Sequence, residues 1–158
     1  MAIKNTTNDV IDLDISVTKK KRFRFDKDDS RLVDINIADM GAISRLSETY
    51  PKLLELLDEV KGVSATESAD AVSDMEIIGN TLNSVDMKMR EALDYIFNAP
   101  VSAVAAPDGT MYDIFEGQFR FEYILELLIG YYETNMSEEF KKMQAKVKAH
   151  TDKYTKKK

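Results

Sequence analysis

Two stretches of this chain set their apolar residues at alternating steps of three and four. The first is Ile43, Leu46, Tyr50, Leu53, Leu57 and Val60; the second is Met75, Ile78, Leu82, Val85, Met89, Ala92 and Ile96. That spacing lines side chains along one face of a helix, so the pattern predicts two consecutive amphipathic helices built to pack against other helices. Asp39 is placed to cap the first by accepting orphan backbone N–H bonds. Pro51 either kinks that helix or marks the first turn of a second, and Gly62 is the expected C-cap. The small polar residues 63–70 read as a linker or the fraying start of the next helix, and Asn98-Ala99-Pro100 ends the second stripe.

Upstream the period changes to two. Ile11, Leu13, Ile15 and Val17 alternate with Asp12, Asp14 and Ser16, and Arg22-Phe23-Arg24-Phe25 and Val33, Ile35, Ile37 repeat the habit. Asp26-Lys27-Asp28-Asp29-Ser30 between them is turn chemistry. Residues 10–38 therefore read as two or three antiparallel strands with a hairpin near Asp28. So small a sheet needs one face on the helices. The polar residues 1–9 are expected to be disordered.

Downstream, residues 100–113 suggest a small hairpin or ordered loop around Pro107-Asp108-Gly109-Thr110. A helix is then expected from Phe115 to about Asn135, apolar nearly all round, which belongs in a core or an interface. Ser137 with Glu138 and Glu139 would open a last amphipathic helix carrying Phe140, Met143, Val147 and His150. The fold class that follows is α+β, predominantly helical: a short N-terminal antiparallel sheet, then a bundle of four to five helices over residues 39–155, then a basic tail at 156–158.

Composition narrows the chemistry. The chain has 158 residues, 44% of them hydrophobic, enough for one domain with a real core. It has no cysteine, which removes thiolate metal sites and cysteine nucleophiles. No apolar run suits a bilayer span and the N-terminus does not resemble a signal peptide, so a cytoplasmic protein without a membrane role is expected. The net charge of −6 hides an asymmetry: residues 137–158 carry +5 and residues 1–136 carry −11. An acidic body opposes phosphate, and in Arg22-Phe23-Arg24-Phe25 alternation separates aromatic from basic faces, so nucleic-acid binding is not expected. His150 stands alone among lysines, and the Asp26–Asp29 cluster lacks the glycine and glutamate of a calcium loop. No cofactor, metal or catalytic set is expected.

Arg22-Phe23-Arg24-Phe25, Asp34-Ile35-Asn36-Ile37-Ala38-Asp39, Arg45-Leu46 and Tyr50-Pro51-Lys52-Leu53 together resemble the start of tail assembly chaperones from long-tailed phages of Gram-positive bacteria. The runs Met89 to Phe97, Pro107 to Tyr112 and Gly117 to Glu122, and the ending His150-Thr151-Asp152-Lys153-Tyr154, extend the resemblance over roughly residues 20–155. It implies a non-enzymatic helper in the host bacterial cytoplasm. Such a helper binds the helical tape-measure protein, helps recruit tail-tube protein and is absent from the mature virion. A tail subunit retained in the virion, and a small enzyme or nucleic-acid-binding accessory protein, are the alternatives. Since two adjacent stripes can cover each other, the client surface is expected on the later apolar helix, at Phe119, Tyr123, Leu125, Leu128 and Tyr132; self-association is also open.

Overall fold

The computed structural model describes residues 9–15, 18–63 and 71–155. The expectations for residues 1–8, Ser16, Val17 and the tail at 156–158 lie outside these residues, as does that for 63–70 except at Val63, which is helical. Strands β1 (Lys20–Arg24) and β2 (Leu32–Asn36) pair antiparallel, and helices α1 (Gly41–Val63) and α2 (Ala71–Phe97) follow. A short helix α3 (Val101–Ala105), a small hairpin of β3 (Ile114–Phe115) and β4 (Gln118–Phe119), and a long helix α4 (Arg120–Thr155) complete the chain. The α+β, mainly helical class expected from the pattern is the one observed, with four helices among the described residues.

The first hairpin turns at Asp26 and Lys27, both with positive φ, and Asp28 N–H donates to the Phe25 carbonyl at 3.1 Å. Such a turn matches the strands' own twist. Asp28 also accepts from the Ser30 N–H and hydroxyl, so the acidic cluster is spent on the turn. Phe23, Val33 and Ile35 face the helices, while Arg22 and Asp34 pair across the outer face at 2.9 Å. Residues 9–15 are exposed and join neither sheet, so the hairpin has two described strands only.

The α1 and α2 stripes meet as a helical hairpin. Asp39 Oδ1 accepts the Gly41 N–H at 2.9 Å, as expected of a cap. Pro51 sits inside a single helix on its exposed side, and the helix is described through Gly62 to Val63, one residue past the expected C-cap. The end of α2 falls where expected: Asn98 takes φ 48°, and the N–H groups of Asn98 and Ala99 return to the carbonyls of Tyr95 and Asp94. Residues 101–105 are helical, as α3, where the pattern suggests a small hairpin or ordered loop, and two boundaries also differ from expectation. Residues 114–119 form a hairpin around Glu116 and Gly117, so the helix starts at Arg120 rather than Phe115. Ser137 opens no new helix, because α4 runs unbroken from Arg120 to Thr155.

Candidate functional site

The core is drawn from α1, α2 and the first half of α4. Val85, Met89, Leu93 and Ile96 of α2 are fully covered, as are Leu53 of α1 and Phe121, Ile124 and Leu128 of α4. Of the five residues expected to bind a client, Leu125, Leu128 and Tyr132 belong to this core. Tyr132 packs on Phe97 with ring centroids 5.9 Å apart. Phe119 lies half-buried on β4, stacked 6.4 Å from Phe121, and only Tyr123 is exposed, its ring 5.5 Å from Phe115. The five do not form one surface. Helical period explains the split: positions 121, 124, 125, 128 and 132 face inward, leaving 123, 127 and 131 to solvent.

What the structure does bring together is a groove between α1 and α4, with a volume of about 300 Å³. Leu53, Leu57, Phe121 and Leu125 form its floor, Leu46 and Ile129 its half-buried sides, and Tyr50 and Leu54 its exposed lip. Glu122 and Glu126, one turn apart on α4, supply the polar rim, and Gln118 Nε2 donates to Glu126 Oε1 at 3.0 Å. The first stripe is therefore shared. Its residues serve α2 along part of the helix and α4 along the rest. Leu53, Leu54, Leu56 and Leu57 make the apolar face wider than a single partner needs, and that width was the sequence signal for this groove.

A set of arginines holds the frame around it. Arg45 donates from Nε to the Ile96 carbonyl at the end of α2 (3.0 Å) and from Nη2 to Asp39 (2.6 Å). Arg31 donates to the Val104 and Ala105 carbonyls at the end of α3, at 2.7 and 2.8 Å. Arg90 pairs with Asp86 and reaches the carbonyls of Ser102, Ala106 and Gly109. Arg45 and Arg31 thus sit where helix ends leave acceptors unfilled, while Arg90 gathers carbonyls of α3 and of the loop after it. Nothing in the sequence reading pointed to them, because a carbonyl acceptor has no residue identity.

The basic run beside β1 is likewise engaged. Lys19 Nζ donates to Asn135 Oδ1 at 2.8 Å, Lys21 lies over the Tyr131 ring at 5.9 Å, and Phe23 meets that ring edge-on at 4.9 Å. Carboxyls with displaced pKa are all lowered: Asp28 by Ser30, Asp34 by Arg22, and Asp113 by Thr110, hydrogen bonds leading in each case. These are the shifts of turn and ladder hydrogen bonds. Among the described residues no group of three or more His, Asp or Glu could hold a metal ion, and no helix is long and apolar enough to cross a membrane. Comparison with protein-family models, curated proteins and solved structures finds no match to this chain.

Proposed function

We propose that this protein is a non-enzymatic tail assembly chaperone that takes an amphipathic helix of the tape-measure protein into the groove between α1 and α4. There it shelters the client's apolar face until tail-tube protein replaces it. The observation that supports this reading most is the groove itself. A trough with an apolar floor, open between two helices, suits the apolar face of a third, with side chains at i, i+3 and i+4 as anchors. Its Glu122 and Glu126 rim favours a client helix flanked by lysine or arginine. The resemblance over residues 20–155 supplies the identity of the client, and an exposed Tyr50–Leu54 lip supplies access without unfolding the core.

The test is co-expression with the tape-measure protein of the same phage, followed by pull-down. Leu54→Asp keeps the core intact and places a carboxylate at the lip, so binding falls about tenfold or more while the circular dichroism spectrum is unchanged. Unaltered capture by a folded Leu54→Asp chain excludes the groove as the client site. Mass spectrometry of purified virions checks the chaperone role separately: this reading expects the protein to be absent, and a fixed copy number per tail would identify a retained subunit.

A further inference from the structure

The two ends of the described chain each carry an apolar surface left bare. Beyond Asn135, α4 leaves the body, and every residue from Ser137 to Lys153 is exposed. Phe140, Met143 and Val147 form one stripe there, 51%, 58% and 66% exposed, among Lys141, Lys142, Lys146 and Lys148, which outnumber Glu138 and Glu139 at its start. At the other end, Val10, Ile11, Leu13 and Ile15 are 73–82% exposed, and the charges among residues 9–15 are Asp9, Asp12 and Asp14. The two surfaces share a root. Thr18 and Lys19 line a cavity of about 500 Å³ together with Met136, Phe140 and Met143.

We propose that these surfaces cover each other between two copies of the chain. Residues 9–15 of one copy lie along the Phe140–Met143–Val147 stripe of the second, and the second returns the contact, closing a two-fold dimer. Charge complementarity carries the choice of occupant. The segment is apolar and acidic, the stripe apolar and basic, and like surfaces laid on themselves would repel. The lengths agree: seven extended residues span about 23 Å at ~3.3 Å each, and the helix from Met136 to His150 spans about 22 Å at ~1.5 Å per residue. Within one chain both surfaces remain bare although their roots adjoin, whereas a second copy offers each its complement. The acidic body and basic end also steer two copies together in this orientation. The contact is independent of the α1–α4 groove.

Because the chain has no cysteine, it can be tested by disulfide trapping in the full-length protein. Leu13→Cys and Met143→Cys are made as separate chains, mixed, and oxidised mildly. A mixed dimer linked between positions 13 and 143 is expected, since single-cysteine chains can form that link only between copies. A dominant 143–143 dimer would overturn the proposal in favour of helix-on-helix pairing, and no link beyond that of scrambled surface cysteines would overturn it outright. In the double variant, closure within one chain as the main product would also overturn it. Sedimentation of the cysteine-free protein gives a second reading. Asp12→Lys with Asp14→Lys should raise the dimer dissociation constant about tenfold or more at low salt, and Lys142→Asp with Lys146→Asp should restore it. Unchanged sedimentation in the first pair refutes the assignment.

Discussion

Tyr132→Phe should make this protein more stable. The phenol is 2% exposed, and its hydroxyl has no hydrogen-bond partner among the described residues. The ring is held by Phe97 5.9 Å away, and phenylalanine keeps that contact. Burying an unpaired hydroxyl costs roughly 1–3 kcal/mol on mutational scales. After the small loss of packing around one missing oxygen, a net gain of about 1 kcal/mol is expected, equivalent to a melting temperature roughly 2–4 °C higher for a chain of this size. Urea unfolding at neutral pH, followed by far-UV circular dichroism, measures it as a higher midpoint with unchanged slope. The same substitution has a signature at high pH. Burial pushes the Tyr132 phenol up to about 12, with Asp39 adding to the effect and Arg45 opposing it. The unfolded phenol ionises near 10, so the contribution of Tyr132 is whole below that pH and is lost as the pH climbs toward 12. The stability gap between Tyr132→Phe and the native chain should therefore widen across that window, other tyrosines cancelling in the subtraction. A variant less stable than the native chain by about 0.5 kcal/mol or more would mean that the hydroxyl makes a bond worth keeping. A gap that stays constant above pH 10 would refute the burial argument.

Arg90→Met removes the ion pair to Asp86 and three bonds to carbonyls of α3 and the loop after it, and should cost about 3 kcal/mol in urea unfolding. Arg90→Lys, which keeps the charge but not the fork, should recover only part of it, and a loss under about 1 kcal/mol for the methionine variant would refute the stapling role. Asp113, held below the usual carboxylate range chiefly by the Thr110 hydroxyl, stabilises the fold above its unfolded pKa of 3.8 and loses that contribution as pH falls through its lower folded value. Asp113→Asn should flatten the decline of stability below pH 3.8; an unchanged acid limb would contradict it.

Much of the fold was legible because periodicity survives in a single sequence. The 3–4 stripes gave α1 and α2, the alternation gave β1 and β2, and Asn98 before Pro100 gave the end of α2. The misses have local causes. Ser137 is a good cap with nothing to cap, since Tyr132, Met136, Phe140 and Met143 carry the helical spacing straight through it. Glu116-Gly117 is a two-residue turn with positive φ at both positions, and only the glycine announces it. For the site, an all-round apolar helix could not say which of its faces the body covers. Burial was decided by α1 and α2, so Leu125, Leu128 and Tyr132 went inside while the groove drew half its lining from α1.

The unbroken α4 also makes one element out of two regimes of stability. Its first half is locked by the core and by Asn135, whose amide donates to the Ile37 carbonyl and accepts from Lys19. Its second half is exposed at every residue from Ser137 to Lys153, meets the rest of the chain along the cavity lined by Glu139, Phe140 and Met143, and carries local pairs such as Glu139 with Lys142. A helix of such length without packing is marginal in water. Backbone amides from Arg120 to Asn135 should then exchange with deuterium only through global opening, and those beyond Ser137 through fraying that leaves the domain folded. One continuous helix would thus be read by hydrogen exchange as two cooperative units, with the border at Asn135.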